Sequence, residues 1–217
     1  MALFEYFGMI LFLVGINCSG NDASVAALGL FIAATLTGRL SGGHFNMAIT
    51  MAVYAMEGKW SKNLPIALAV AGVDLLGGFT AMAISAGFLG KKNVFILIPP
   101  GEMNNLSPSY LLYLLAVEAF FTMIFVSSVL SVKYRKVSAT TDGMLSNMTV
   151  AIGLYVAVRM AGPLSGGGVN PTIGTATIVT GAIIFNTDDN SGKYVSPIFL
   201  IPYVAGPLIG GLMAAGL

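Results

Sequence analysis

Two short cassettes constrain this chain more than anything else in it: Gly42-Gly43-His44-Phe45-Asn46-Met47-Ala48 and Gly166-Gly167-Gly168-Val169-Asn170-Pro171-Thr172. Each is a glycine-rich, turn-like run, then an asparagine, then an apolar stretch too short to cross a bilayer. The asparagine suits a helix N-cap, and Pro171 suits the first helical position after one. The cassettes occupy corresponding places in two halves of a very apolar chain. Paired short, glycine-interrupted segments of this kind mark broken helices that meet at mid-membrane.

Composition agrees with a membrane setting. Charged residues make up 9% of the 217 positions and hydrophobic residues 56%, whereas a soluble domain carries roughly 25% charged residues. The chain therefore reads as a polytopic membrane protein whose surroundings are the lipid bilayer. Its net charge of +1 gives no basis for binding nucleic acid. A single cysteine, Cys18, excludes an intrachain disulfide and any multi-cysteine metal site. No cleavable leader is expected, since the first apolar run starts at Ala2 with no basic region before it.

Six runs can cross roughly 30 Å of hydrocarbon at about 20 residues each. They fall near 2–18, 23–38, 64–89, 110–132, 144–162 and 195–217, the second closed by Gly38 and Arg39. Two further apolar pieces, near 46–56 and 170–185, follow the cassettes and read as half-helices. Non-helical backbone at that depth survives only where protein buries it or a wet cavity faces it, so both cassettes must point inward. With alternating spans, Arg39, Lys59, Lys62, Lys133, Arg135 and Lys136 share one side, and Lys91, Lys92, Lys193 and Arg159 the other. The halves repeat: Glu5 and Glu118 each lie in the first span of a half that leads to its asparagine cassette. Three spans per half give an inverted repeat, approximately 1–90 and 110–217, within a single membrane domain over 1–217. Rows of small residues, such as Gly153/Ala157/Ala161 and Gly206/Gly210/Ala214, let helix backbones approach closely in lipid.

On these residues the chain resembles the aquaporin and glycerol-channel (major intrinsic protein) family, whose two Asn-Pro-Ala loops take this form. The resemblance covers nearly all of the chain. It implies an all-α membrane fold, an aquaporin-like bundle of six transmembrane helices with two re-entrant half-helices in an inverted repeat. It also implies pore loops made by Asn46, Met47 and Ala48 and by Asn170, Pro171 and Thr172, the two asparagines orienting single-file water. Met47 departs from the family proline and restores a backbone N–H; Thr172 departs from alanine and brings a hydroxyl. His44, the only histidine, stands where the family commonly has a loop-fixing histidine. Glu5 and Glu118 match the family glutamates that accept hydrogen bonds from the re-entrant loops. Asp74, in Val73-Asp74-Leu75-Leu76-Gly77-Gly78, stands where the family usually has a glutamine, and its carboxyl must be neutral or paired. Loop buttressing is the expected role of all three acids, with Arg39 and Arg159 as candidate partners of Asp74.

The selectivity constriction departs furthest. Members commonly place an arginine three residues after the second asparagine, where this chain has Ile173. Alignment by distance to each asparagine gives Leu28, Val158 and Gly167 as the other constriction positions, with Arg159 beside Val158 as a possible substitute charge. The expected neck has no charge and almost no side-chain hydrogen bonding. Loss of the arginine leaves the half-helix ends alone to repel cations.

No catalytic set is present: no P-loop, no Ser/His/Asp arrangement, no second histidine. The chain is expected to be no enzyme, with no cofactor and no metal site, since no Cys, His or acid cluster surrounds His44. Two functions compete. One is a passive channel for water or small neutral solutes such as glycerol, through an apolar filter. The other is a non-conducting, aquaporin-fold structural subunit of a larger membrane complex. An ion-coupled transporter would rest on Asp74 alone. The family resemblance implies a homotetramer; apolar outer faces could equally meet hetero-subunits.

Overall fold

The computed structural model describes residues 2–20, 22–58, 60–100, 106–134, 140–187 and 194–216. Lys59, Arg135, Lys136 and Lys193, used above to weigh orientation, lie outside the described residues. The first half comprises α1 (Ala2–Cys18), α2 (Ala23–Ser41), the short α3 (Met47–Glu57) and α4 (Trp60–Leu89). The second comprises α5 (Pro108–Lys133), α6 (Gly143–Ser165), α7 (Pro171–Asn186) and α8 (Gly206–Gly216). Before α8 the chain makes a 3-10 turn at Pro197–Phe199 and a π turn at Ile201–Ala205, and together these form the last span. The fold class is as the sequence suggests, an all-helical membrane bundle: among the described residues five helical segments are long and apolar enough to cross a membrane, and α1, α3 and α7 are shorter apolar helices.

Local chemistry sets the helix ends. Asp22, Ser107 and Asp142 cap α2, α5 and α6 through their side-chain oxygens. Gly42 and Gly166 end α2 and α6 in the left-handed region, at φ 109° and 92°, which glycine adopts without a Cβ penalty. The second span thus runs on to Ser41, past the expected stop at Gly38 and Arg39.

Each half packs alike. In the first, α1 lies against α2 and α4; in the second, α5 lies against α6 and α8. The half-helices then cross over, α3 packing on α8 and α7 on α4, while α2 meets α6 between the halves. Two matching segments make the crossing possible: Asp74-Leu75-Leu76-Gly77-Gly78 in α4 and Pro207-Leu208-Ile209-Gly210-Gly211 at the start of α8. A Cβ on Gly211 would lie 2.5 Å from the Ala48 carbonyl oxygen, so only glycine lets α8 approach α3 so closely. Gly78 stands in the same relation to α7, where a Cβ would lie 3.1 Å from Ala176 Cβ.

The buried core runs along this crossing through Met9, Leu13, Phe45, Ile49, Phe125 and Leu130. Large apolar side chains also cover the outside. On α2 the row Leu28, Ile32, Leu36 and Leu40 is 59%, 50%, 62% and 58% exposed, and Met148, Ile152, Val156 and Met160 form a similar row on α6. Residues spaced by four share one helix face, so these rows meet lipid. The molecule is an integral, multi-pass membrane protein.

Candidate functional site

The two asparagines begin the half-helices and face each other. Asn46 caps α3, its Oδ1 accepting from Ala48 N at 2.8 Å; Asn170 caps α7, its Oδ1 accepting from Thr172 N at 2.9 Å. Their amides then cross between the halves. Asn46 Nδ2 donates to the Val169 carbonyl at 3.0 Å, and Asn170 Nδ2 donates to the Phe45 carbonyl at 2.9 Å. Both accepting residues carry positive φ, 47° at Phe45 and 41° at Val169, a sparsely populated conformation for side chains of that size. That backbone turn brings each carbonyl to the opposite amide. A side-chain amide has two N–H groups, so each asparagine keeps one beyond the crosswise bond. Both residues line the cavity between the cassettes.

The glutamates hold each turn from behind in matching fashion. Glu5, fully buried, accepts from Gly43 N at 2.8 Å, from His44 N, and from Phe45 N at 3.0 Å. Glu118, also fully buried, accepts from Gly168 N at 3.0 Å, Val169 N at 2.7 Å and the Ser165 hydroxyl at 2.6 Å. A serine precedes each glycine run, and Ser41 and Ser165 each accept from the next-but-one glycine N–H. Ser41 and Ser165 escaped the sequence reading, although the shared Ser-Gly-Gly-x-x-Asn pattern was there to be seen. His44 uses both ring nitrogens, Nδ1 at 3.0 Å from Thr50 Oγ1 and Nε2 at 2.9 Å from the Tyr134 hydroxyl. The single histidine thereby ties the first cassette to α3 and to the end of α5.

The two departures from the loop motif meet in space. The Met47 N–H, the donor a proline would lack, points to Thr172 Oγ1 at 3.3 Å. Ala48 and Thr172 are both fully buried, and Pro171 occupies the first position of α7 as expected. Asp74 is fully buried, and neither of its carboxylate oxygens has a hydrogen-bond partner. Neither Arg39 nor Arg159 reaches it: both are exposed, and Arg159 lies toward Asp22 at the start of α2. The groups facing Asp74 are the Glu5 carboxyl and the Asn46 backbone N–H.

The cavity between the cassettes is narrow, with about 20 Å³ of room, the space of roughly one water. Val158, Gly167 and Ile173 line it; Leu28 does not. From α2 it is lined by Ala26 and Leu30, and Leu28 belongs to the lipid-facing row described above. Counting back from Asn46 placed the position on the right turn of α2 but the wrong face, because two residues are about 200° of helix rotation. His44 and Gly168 of the cassettes also line it, as do Phe12, Ile16, Phe95, Phe125 and Leu154, which were missed from sequence, where they look like ordinary core positions. Among these lining residues none is Asp, Glu, Lys or Arg, and Arg159 is absent.

A second, larger cavity of about 710 Å³ opens at the far ends of the same helices, between α2, the end of α5 and the start of α6. One stripe joins the two on α2: Ala26 and Leu30 line the first, Ala34 and Gly38 the second. On α6, Leu154 and Val158 line the first, Asn147 and Gly143 the second. The two cavities thus lie in line along the same faces of α2 and α6, and the crossed asparagines line the narrow one. Among the described residues no group of three or more His, Cys, Asp or Glu is placed to hold a metal.

Comparison with known proteins places this geometry in context. Residues 11–217 match the family described as Major intrinsic protein. The chain is 28% identical over 212 residues to Aquaporin NIP1-1 of Zea mays, covering 93% of this chain and 65% of that protein. It is 24% identical over 185 residues to an aquaglyceroporin of Toxoplasma gondii, covering 85% of this chain and 62% of that one. It thus spans less than two thirds of the length of these curated relatives. The X-ray structure of the aquaglyceroporin from Plasmodium falciparum superposes with a TM-score of 0.75 at 16% identity, over 100% of this chain and 95% of that one.

Proposed function

This chain belongs to the major intrinsic protein family, and on that footing we propose that it is a passive channel for water or small neutral solutes with an uncharged, apolar neck. The observation that carries this reading is the crosswise pair of bonds, Asn46 to Val169 and Asn170 to Phe45. It leaves one N–H of each amide for a passing lone pair in the narrow one of the two cavities, which this reading joins into one path. The half-helices add their own field. Each N-terminus carries roughly half a positive charge, and two such ends at one waist disfavour cations. In this reading Glu5 and Glu118 fix the loops, His44 locks the first of them to α5, and Met47 and Thr172 replace the usual motif by bonding to each other. Asp74 is buried behind the first loop, beside Glu5.

The neck sets the preference. Val158, Gly167 and Ile173, with Leu30 and Phe12, offer no charged group and few hydrogen bonds. A solute stripped of water there loses about 1–3 kcal/mol per unmade hydrogen bond, so less polar solutes are favoured relative to water. No catalytic role, cofactor or metal is proposed. Stopped-flow swelling of proteoliposomes, with water, glycerol and a less polar solute compared, tests the reading. Rates above those of empty liposomes are expected; rates equal to them overturn it.

A second reading, a non-conducting structural subunit, draws on the room for about one water at the waist. In that case gentle solubilisation recovers the chain with non-identical partners, whereas recovery as a lone homotetramer counts against it. For the channel reading we propose the homotetramer, on the family resemblance.

A further inference from the structure

The family's usual neck arginine is Ile173 in this chain, and the cavity at that level has no charged lining. The other cavity differs in kind. Its wall carries Arg39 and Lys133 among Thr35, Tyr134, Ser146 and Asn147, with no acidic side chain in its lining. Neither cation makes an ion pair among the described residues. Lys133 is the more intimate of the two. Its Nζ lies 3.7 Å from where a Cβ on Gly43 would stand, so the ammonium rests on the first cassette itself. The carboxylate within electrostatic reach of it is Glu5, whose oxygens are already held by the Gly43, His44 and Phe45 N–H groups. Tyr134, the next residue, fixes this end of α5 by bonding His44. A basic side chain therefore stands at the mouth of the wider cavity, against the first cassette.

We propose that the cation-rejecting charge of this path sits at the basic mouth, on Lys133 with Arg39 on the facing wall, and not at the neck. Lys133 acts as a specificity-determining residue: neutral solutes pass it, while a proton or alkali cation meets the basic groups of this mouth before it reaches the half-helix ends. The inference rests on the channel reading above, and it removes the expectation that those ends repel cations alone.

The test uses proteoliposomes of the wild type, Lys133→Gln, Lys133→Arg and Arg39→Gln. Two rates are measured on each preparation: osmotic swelling in glycerol and water, and proton or potassium flux under a clamped potential. Lys133→Gln is expected to raise the ratio of cation flux to swelling rate about tenfold, with a smaller rise for the more exposed Arg39→Gln. Lys133→Arg, which keeps the charge, is expected to stay as tight as the wild type. Swelling that persists while both neutralised variants remain cation-tight overturns the inference and leaves the channel reading intact. A leak of the same size in Lys133→Arg also overturns it, because packing and not charge would then be the cause. A wild type with no swelling above empty liposomes ends the channel reading, and this inference with it.

Discussion

Changing Met47 to proline and Thr172 to alanine restores Asn-Pro-Ala in both cassettes, and the structure dictates an unusual pattern of energies. The Met47 N–H donates to Thr172 Oγ1 at 3.3 Å, near the long end of the hydrogen-bond range, with Thr172 fully buried and Met47 partly so. Thr172→Ala alone leaves that N–H without its acceptor, and Met47→Pro alone leaves a buried hydroxyl without its donor. Abandoning one buried polar group costs about 1–3 kcal/mol. The long bond and half-exposed amide place each single change near the lower end, about 1 kcal/mol. Proline itself fits the site. Asn46 has φ −161° and ψ 117°, the extended conformation that a following proline requires, and Asn170 before Pro171 has φ −156° and ψ 111°. Removing both partners together is close to neutral. Equilibrium unfolding in mixed micelles should therefore show each single variant about 1 kcal/mol less stable than the wild type, and the double variant within about 0.5 kcal/mol of it. The coupling comes to about 2 kcal/mol. Two single effects that simply add would refute the bond between the two departures.

Glu118→Gln keeps the shape of the buttress but removes charge from bonds to Gly168 N, Val169 N and the Ser165 hydroxyl; a loss of about 2–3 kcal/mol is expected in the same unfolding assay. Ile173→Ser places a hydroxyl in the neck and should raise water permeability in the swelling assay by about tenfold if it returns one hydrogen bond to the passing water. Leu28→Ala, on the lipid-facing row, should leave the permeability unchanged. Asp74→Asn removes an ionisable group whose oxygens have no hydrogen-bond partner at full burial, and an unfolding midpoint at or above that of the wild type at neutral pH is expected; a clear loss would mean that the carboxylate is paired.

Much of the fold was legible because its signals are local. Glycine before asparagine before an apolar run names both a turn and a cap, and the spacing of Glu5 and Glu118 to the two cassettes exposes the repeat. What escaped was decided by phase and by distance in space. Leu28 and Leu30 are equally apolar, and only the roll of α2 sends one to lipid and the other to the neck. Thr172 could be seen to bring a hydroxyl, but nothing local told that its donor lies in the other half. Lys133 looked like part of a basic cluster that orients the chain, since no pattern in the sequence shows that α5 ends against Gly43. Arg39 and Arg159 were reasonable partners for Asp74 by charge alone, and the bundle carries both of them elsewhere.

The crosswise amide bonds carry a consequence for biogenesis. Asn46 reaches Val169 and Asn170 reaches Phe45, so the Asn46 amide and the Phe45 carbonyl lack these partners until the ribosome has delivered the second cassette. During synthesis the polar tip of the first cassette must stay hydrated or be sheltered by the insertion machinery. The final seating of α3 then follows the arrival of α7 and cannot proceed helix by helix in order of translation.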